Sequence, residues 1–274
     1  MLRIPMATLA AAIPVATAWA SCRRPGAGRR GRTFFAARSS SSSSADDRKA
    51  LFGRVAPVYD QIMDVFSLGQ HRAWKRDCVS WSRAKRGDKV LDLCCGSGDL
   101  AFLVSEMVGL HGEVMAVDFS GQQLQTAARR AEQRWKPCYG NIRWIEGDAL
   151  DLPFEDCDFD AVTMGYGLRN VVDKPKAMEE IFRVLKPGST ASILDINKKS
   201  LFLIQSWVVD NLVDICARYG YGLTEEYKYL KHSISEYLTE EELEKLAQDV
   251  GFSSAEHHDL AGGLMGNLVA TRSS

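Results

Sequence analysis

Residues 90–100, VLDLCCGSGDL, constrain the fold of this chain more than any other segment. The first four of them are mostly apolar, as in a buried strand, and after Leu100 apolar residues recur at the spacing of a helix. Gly96 and Gly98 lie between the two patterns and permit a tight backbone turn. The segment therefore predicts a strand, a glycine turn and a helix, an arrangement that often binds a nucleotide-type cofactor.

A second apolar run, residues 113–117, ends at Asp118, which follows Gly98 by 20 positions. In nucleotide-binding α/β folds, an acidic residue at about this distance accepts hydrogen bonds from the ribose hydroxyls of the ligand. Glycine pairs also occur in ordinary tight turns. These residues alone therefore favour a cofactor site, with an empty structural turn as the alternative.

The residues around the glycines indicate the type of cofactor. A dinucleotide fingerprint would have a third glycine where this chain has Ala101. Asp92 and Asp99 bracket the turn, and a phosphate placed between two carboxylates in a desolvated cleft would be repelled by several kcal/mol. S-adenosylmethionine has an ammonium and a sulfonium beside an adenosine, and no phosphate, so it fits this charge pattern better. NAD or FAD remains the alternative.

The first 44 residues differ from the rest of the chain. They contain seven arginines, no acidic residue and a run of six serines at positions 39–44. An Arg- and Ser-rich segment without acids is typical of a mitochondrial or chloroplast transit peptide. Its apolar stretch, residues 6–20, contains Pro14 and is too short to span a bilayer. We therefore predict a transit peptide over residues 1–44, with a disordered polar tail as the alternative, and a single domain over residues 45–274.

The body that follows this leader is acidic. It has 27 basic and 35 acidic residues, which give a formal net charge of −8. Such a charge opposes binding to a phosphate backbone, so nucleic acid is not expected as a partner. The body has no run of about 18 apolar residues, which predicts a soluble protein or one that contacts a membrane from one side. Its cysteines form no C-x-x-C pair and its histidines no H-E-x-x-H motif, so no metal site is predicted.

Strand and helix patterns alternate from residue 89 onward. This alternation predicts an α/β fold with a mostly parallel sheet that helices cover on both faces. Two final apolar runs on either side of Gly262 and Gly263 predict a closing β-hairpin, which brings the sheet to seven strands. The predicted strands are residues 89–94, 113–117, 142–146, 161–164, 190–196, 253–260 and 264–270.

Three further segments have predicted roles. Residues 46–81 are mixed and rich in aromatic residues, with helical spacing broken at Pro57, and are predicted to form a lid. Residues 201–217 are strongly apolar and form either a helix packed on the core or a wall or membrane-facing surface for a greasy substrate. The helix near residues 174–185 is predicted to stop at the Lys-Pro-Gly of residues 186–188, before the next strand.

Six motifs of this chain resemble those of a known family. They resemble the quinone C-methyltransferases, a group of class I S-adenosylmethionine-dependent methyltransferases, over residues 51–272. Within that group they resemble the plant and cyanobacterial branch that methylates demethylphylloquinone. The resemblance implies a Rossmann-like methyltransferase fold and S-adenosylmethionine as the cofactor. The motifs are VLDLCCGSGDL (90–100), AVDFS (116–120), EGDALDLPF (146–154), GYGLRNV (165–171), YDQIMDVFSLGQHRAW (59–74) and RVLKPG (183–188).

The same resemblance implies a substrate and a location. The substrate would be a prenylated naphthoquinol that is methylated on a ring carbon in a plastid, after cleavage of the transit peptide, with peripheral membrane contact because of the prenyl tail. The alternative is the same chemistry on a prenylated benzoquinol in a mitochondrion. Two alternatives come from other classes, an NAD(P)-dependent oxidoreductase and a non-catalytic scaffold that retains the cofactor fold. A homo-oligomer is also left open.

The predicted cofactor-binding residues combine this resemblance with the charge argument. Asp118 can accept from the ribose hydroxyls, Asp148 can accept from the adenine amino group, and Asp92 with the backbone of the glycine turn can hold the methionine end. The alternatives are a plain surface loop for Asp148 and a helix-capping role for Asp99. The full predicted set is Asp92, Gly96, Ser97, Gly98, Asp118, Phe119, Asp148, Ala149 and Gly165.

The predicted catalytic residues follow from the chemistry of the acceptor. Methylation of a ring carbon requires an electron-rich ring, so the acceptor should be the quinol and the protein should stabilise its quinolate. Arg169 is predicted to do so because its guanidinium is protonated at any accessible pH, and Asn170 adds a hydrogen bond. His71 is a candidate general base, and Tyr59 with Trp74 is predicted to cover the ring. The alternatives are a structural ion pair for Arg169 and plain packing for His71, Tyr59 and Trp74.

Overall fold

The computed structural model describes residue 67 and residues 69–134, 136–199, 229 and 232–274. All of them belong to one compact unit that starts at Ser39. Several predictions fall outside the described residues: the transit peptide, Tyr59, most of the lid and the apolar segment 201–217.

Seven strands form one sheet. They are β1 Lys89–Leu93, β2 Glu113–Asp118, β3 Ile142–Glu146, β4 Phe159–Gly165, β5 Leu185–Ile196, β6 Ser254–Leu260 and β7 Met265–Thr271. Their order is β3-β2-β1-β4-β5-β7-β6. Strands β1 to β5 pair in parallel, and β7 pairs antiparallel with both β5 and β6. The predicted α/β class, the mostly parallel seven-stranded sheet and the closing hairpin are confirmed.

Helices cover both faces of this sheet, as predicted. Successive strand residues point to opposite faces, and Leu91 and Val90 accordingly belong to different apolar clusters. Ile181 joins the first cluster and Phe102 the second. No described helix is both long and apolar enough to cross a membrane. The α-helices of the described residues are α1 His71–Trp81, α2 Asp99–Val108, α3 Gly121–Arg134, α4 Lys174–Val184 and α5 Glu240–Val250.

The junction between α4 and β5 differs from the prediction. The predicted helix stop and a strand from residue 190 imply a loop, but β5 begins at Leu185, directly after the helix. Residues 186–189 bulge out of the strand pairing opposite Asp160, because Leu185 pairs with Phe159 and the next aligned residue of β5 is Thr190. A proline without an N–H and Gly188 at φ +79° interrupt the ladder there without ending the strand.

The fold brings three carboxyl ends of strands to one edge. Strand β1 pairs with β2 on one side and with β4 on the other, so the residues that follow these strands lie together. The strand order reverses between β1 and β4, and open parallel sheets bind their ligands at such a reversal. The functional site is therefore expected at this edge.

Candidate active site

A cavity of about 250 Å³ opens at this edge of the sheet. Most of the predicted site residues line it. They are joined by Cys94 and Cys95 of the glycine-turn motif, and by Lys75, Tyr166 and Gly167, to which the sequence assigned no role. The predicted residues in the wall are Asp92, Gly96, Ser97, Asp118, Phe119, Asp148, Ala149, Gly165, Arg169 and Asn170.

The glycine turn forms between β1 and α2 as predicted. Gly96 and Gly98 both adopt left-handed backbone conformations, with φ +52° and +91°. A Cβ on Gly98 would lie 2.7 Å from a ring atom of Trp144, so this position needs glycine for space as well as for conformation. Gly98 packs against that ring and is not part of the cavity wall, which assigns it to shaping the turn rather than touching a ligand.

Asp118 ties the turn to β2. Its Oδ2 accepts from the backbone N–H of Gly96 at 2.8 Å, and its Oδ1 accepts from the N–H of Ser120 at 2.9 Å. The two oxygens of a carboxylate can accept the hydrogen bonds of two neighbouring ribose hydroxyls. The carboxylate is nearly buried and held by the backbone, which suits it to position a ribose.

Asp92 is the most electrostatically unusual group of the wall. It is fully buried, and its Oδ1 accepts from the Thr163 hydroxyl at 2.9 Å. Its Oδ2 has no hydrogen-bond partner among the described residues. Burial, aided by the nearby carboxylates of Asp118 and Asp99, raises the pKa of Asp92 to about 7. A cationic ligand group at Oδ2 would satisfy this oxygen, so the residues present fit the ammonium of S-adenosylmethionine.

Asp99 departs from its predicted electrostatic role. Its carboxylate is bound by Lys75 Nζ at 2.5 Å and by Arg130 Nη2 at 2.6 Å. Burial would raise the pKa of Asp99, but the two cations outweigh it and hold that pKa well below its usual range. Asp99 is therefore ionised and compensated, and it does not by itself repel a phosphate. Arg130 also donates to the carbonyl of Ser97 at 2.8 Å and to its hydroxyl, which fixes the turn.

The remaining predicted cofactor residues lie along the wall. Asp148 is exposed in the loop after β3, where its Oδ1 accepts from the N–H of Leu150 at 3.0 Å. Gly165 ends β4, and a Cβ there would lie 2.7 Å from Leu100, so the strand and α2 pack closely. Phe119 follows β2 directly. Contact of Asp148 with the adenine amino group stays a prediction.

Arg169 lies in the wall and in a buried ion pair at once. Its Nη1 is 2.7 Å from Asp195 Oδ1, and the two side chains are 4% and 3% exposed. Its Nε donates to the Ser233 hydroxyl at 3.2 Å. Asn170 donates to the carbonyl of Tyr166 at 2.9 Å. The structural ion pair that was the alternative for Arg169 is present, and Arg169 is nevertheless one of the residues that line the cavity.

His71 and Trp74 are not brought to the cavity. His71 is buried, and its Nδ1 is 3.0 Å from the hydroxyl of Ser67, one turn earlier in the chain. Trp74 is buried in the apolar cluster on the α1 and α2 face of the sheet. Packing accounts for both positions, so the described geometry gives no support to His71 as the base or to Trp74 as a cover for the ring.

The cysteines of the wall are not reactive groups. Burial raises the pKa of the Cys94 and Cys95 thiols well above the ordinary value, and the carboxylates of Asp118 and Asp92 add to this effect. Neither thiol ionises near neutral pH, so neither is an activated nucleophile. Their small size lets the turn approach a ligand.

One group of potential metal ligands lies outside this wall. Glu240, His257 and Asp259 each offer one ligand atom, and these atoms lie within 4.8 Å of one another. Lys199 already forms an ion pair with the Glu240 carboxylate, and Asn197 donates to Asp259 at 2.9 Å. Since protein cations and donors occupy both carboxylates, we assign no metal to this group.

Solved structures of methyltransferases share this fold. An S-adenosylmethionine-dependent methyltransferase from Aquifex aeolicus matches with a TM-score of 0.51 and 21% identity, over 68% of this chain and 83% of that protein. One from Thermotoga maritima matches with a TM-score of 0.56 and 17% identity, over 81% and 99%. At this level of identity the likeness establishes the fold alone.

Curated relatives carry the comparison further. The 2-phytyl-1,4-beta-naphthoquinone methyltransferase of Arabidopsis thaliana, named chloroplastic, is 61% identical over 231 residues, which are 83% of this chain and 88% of the relative. A 2-phytyl-1,4-naphtoquinone methyltransferase of Nostoc is 47% identical over 227 residues, 82% and 98% of the two chains. The model of the ubiE/COQ5 methyltransferase family matches residues 41–272. The chain is therefore an S-adenosylmethionine-dependent methyltransferase and belongs to the ubiE/COQ5 methyltransferase family.

Proposed function

We propose that this enzyme methylates a ring carbon of reduced 2-phytyl-1,4-naphthoquinone, and so converts demethylphylloquinol to phylloquinol. The observation that carries the proposal is the 61% identity to a relative named for this substrate, over 83% of the chain. Cyanobacterial relatives that are 44% to 47% identical carry the same substrate in their names. The benzoquinol alternative has no counterpart among these relatives.

The chemistry requires the reduced substrate. The oxidised quinone is electrophilic, whereas the quinol becomes strongly nucleophilic at carbon when a phenolic proton leaves. The new bond joins that carbon to the methyl group as the carbon–sulfur bond breaks, and the ring proton at the same carbon then leaves to water. S-adenosylhomocysteine and the methylated quinol are the products. The protein has to orient the ring and stabilise the quinolate that forms when the phenolic proton leaves.

Arg169 is the residue best placed for the second task. Arg169 is one of the residues that line the cavity, and the ion pair of its buried guanidinium with Asp195 at 2.7 Å fixes its position before substrate binds. A fixed cation in a partly desolvated site stabilises an anion more than a mobile one in water does. Because it stays protonated, Arg169 acts on the quinolate oxygen and does not remove the proton itself. Asn170 adds a donor beside it.

The location and the membrane contact are part of the proposal. The Arabidopsis relative is named chloroplastic, and the first 44 residues of this chain have the composition of a transit peptide. We place the mature enzyme in a plastid. A phytyl tail keeps the substrate in a membrane, so the enzyme would have to reach it from the membrane surface, as a peripheral protein.

A labelled-methyl assay tests the substrate. The full chain is incubated with S-adenosylmethionine carrying a labelled methyl group and with one of three acceptors. We expect label in the product from reduced demethylphylloquinone, and none from its oxidised form. A prenylated benzoquinol is the third acceptor, and methylation of that compound alone would overturn the naphthoquinol assignment.

A further inference from the structure

Arg183 is a partly buried arginine whose five N–H groups all bond within the protein. It lies in the last turn of α4 and in the motif RVLKPG, to which the site gives no role. Its Nε and Nη2 donate to the two carboxylate oxygens of Glu180, at 3.1 and 2.8 Å. Its other N–H groups donate to the carbonyls of Leu152 and Phe154, at 3.0 and 2.7 Å, and to Asp156 at 2.9 Å. The rigid fork of a guanidinium suits this set of acceptors, which a lysine could not satisfy.

Glu180 binds the other polar group of the same backbone residue. Its Oε2 accepts from the N–H of Leu152 at 3.0 Å, while Arg183 donates to the C=O of Leu152. The two side chains are three residues apart on one face of α4, and they are only 7% and 22% exposed. The ion pair of Glu180 and Arg183, called the clamp below, therefore holds both hydrogen-bonding groups of one backbone residue. Pairing in a sheet fixes a strand residue through the same two groups.

The loop that the clamp holds also forms part of the cavity wall. It joins β3 to β4, and its residues 147–150 line the cavity. Leu152 is 4% exposed and packs in the apolar cluster that includes Ile181 of α4. One residue, Asp151, separates Leu152 from the wall. A shift of Leu152 would therefore move the wall residues with it.

Residues 148–151 are held to the rest of the fold at their two ends. Before them, the N–H of Gly147 donates to the carbonyl of Asp118 at 3.1 Å. After them comes Leu152, which the clamp holds. The hydrogen bonds of the segment itself, at 3.0 and 3.1 Å, join its own residues, and no other described residue donates to it or accepts from it. The position of the segment relative to the sheet thus depends on Gly147 and on the clamp.

The segment lies on the cofactor side of the cavity. Gly147 bonds to the backbone of Asp118, the predicted ribose ligand, whereas Arg169 of the acceptor side follows β4. We propose that the clamp positions residues 148–151 against S-adenosylmethionine. Arg183 is then a positioning residue, because it does not itself line the cavity and acts through the loop. The inference rests on this cavity being the cofactor site and not on the identity of the methyl acceptor.

Calorimetric titration of the full chain with S-adenosylmethionine tests the proposal in Arg183→Met, which removes all five donors and keeps an unbranched side chain. Without the clamp, the loop is in place in only a fraction of the molecules, and the observed affinity falls by that fraction. We expect binding about 3- to 30-fold weaker than in wild type, the scale of one charge-assisted hydrogen bond. At saturating cofactor, the labelled-methyl assay should give a kcat within about twofold of wild type, because a loss of uniform cofactor binding raises KM and leaves kcat unchanged.

Arg272→Met is the matched control. The Arg272 guanidinium also donates to backbone carbonyls at the end of α4, those of Phe182, Arg183 and Leu185, at 2.7, 3.3 and 2.7 Å. None of these carbonyls belongs to the loop, and Arg272 does not line the cavity. Urea unfolding should show a lower free energy of unfolding in both variants, but cofactor binding should weaken only in Arg183→Met. Arg183→Lys keeps the charge with fewer donors, so its affinity should lie between those of Arg183→Met and wild type.

Hydrogen exchange on the wild-type protein adds a test that needs no variant. Peptides covering residues 147–154 should exchange more slowly when S-adenosylmethionine is bound, because the cofactor then restrains the segment between its two anchors. Unchanged exchange there would overturn the proposal, since the loop would not touch the cofactor.

Two results with the variants would overturn it as well. Equal losses of affinity in Arg183→Met and Arg272→Met would mean that the clamp contributes only general stability. Wild-type affinity in Arg183→Met would mean that the clamp does not position the loop for the cofactor, and a fall in kcat at saturating cofactor alongside it would move the role of Arg183 to the acceptor side.

Discussion

Asp92→Asn is expected to stabilise the cofactor-free protein at alkaline pH and to weaken cofactor binding at the same time. Asp92 is fully buried with one oxygen unpartnered among the described residues, so its ionised form is unfavourable until a cation arrives. Asparagine has nearly the same shape and no charge. The substitution therefore removes the cost of the buried charge together with the contact that we expect Asp92 to make with the cofactor ammonium.

The size of the stability effect follows from the pKa. Burial raises the pKa of Asp92 from 3.8 to about 7 in the folded protein. Between these values the folded state binds more protons than the unfolded state, so its stability falls as pH rises from about 4 through about 7. With a pKa of 3.8 in the unfolded state and about 7 in the folded state, Asp92 lowers the free energy of unfolding by about 2 to 3 kcal/mol between pH 5 and pH 8. The asparagine side chain of the variant does not titrate and contributes no such loss.

Urea unfolding of both proteins at the two pH values measures this. Other groups titrate equally in wild type and variant. The change in the free energy of unfolding between the two pH values, compared between the two proteins, therefore isolates the contribution of Asp92. We expect the free energy of unfolding of Asp92→Asn, relative to that of wild type, to rise by about 2 to 3 kcal/mol between pH 5 and pH 8. Titration with S-adenosylmethionine at pH 8 should show weaker binding to the variant. Wild type should release a fraction of a proton on binding near pH 7, detected as a dependence of the binding heat on the buffer.

A flat comparison would refute this reasoning. If wild type and Asp92→Asn lose stability equally between the two pH values, Asp92 does not carry a raised pKa. If the variant binds S-adenosylmethionine as tightly as wild type at pH 8, the carboxylate of Asp92 does not hold the ammonium.

Three further predictions concern the turn and the acceptor side. In urea unfolding, Gly98→Ala should lower the free energy of unfolding by about 2 to 4 kcal/mol, because the new Cβ adds a clash to an unfavourable φ. Gly96→Ala has open space at its Cβ and should lower the free energy of unfolding by only about 1 kcal/mol. Arg169→Ala and Asp118→Ala should both abolish turnover in the labelled-methyl assay, but calorimetry should show lost cofactor affinity only in the second. Asp195→Asn should cost about 3 to 5 kcal/mol of stability, since it leaves the Arg169 guanidinium buried without its anion.

Local signals in the sequence predicted local structure well. The glycine turn forms where its pattern indicated. In the same way a Thr-x-x-Glu pattern, Thr239 with Glu242, starts α5 as a capping box of two reciprocal hydrogen bonds. Both features are decided by a few adjacent residues, so neighbouring sequence contains the necessary information. The departure at residues 186–189 has the same origin: proline and glycine signal an interruption, but not whether a strand resumes beyond it.

Contacts between distant segments were not predictable in the same way. The last strand, β7, inserts between β5 and β6, which no periodicity specifies. The partners of Asp99 come from positions 24 and 31 residues away, on helices whose packing is decided by the core. Lys75 and Trp74 are neighbours in a segment that the sequence predicted to be a lid. Lys75 lines the cavity, whereas Trp74 packs in the core.

Fewer carboxylates around the turn repel a phosphate than the sequence indicates. Asp99 carries no net repulsion, because Lys75 and Arg130 compensate it. Asp92 and Asp118 still oppose a phosphate at the ends of β1 and β2, and the ion pair of Lys75 with Asp99 lies at the start of α2. A pyrophosphate beside the buried Asp92 carboxylate would meet like charge, whereas the ammonium of S-adenosylmethionine would satisfy the Asp92 oxygen that has no partner among the described residues. The same buried carboxylate that lowers the stability of the empty fold above neutral pH would thus become a favourable contact for the ammonium of the cofactor, which ties cofactor choice to folding stability.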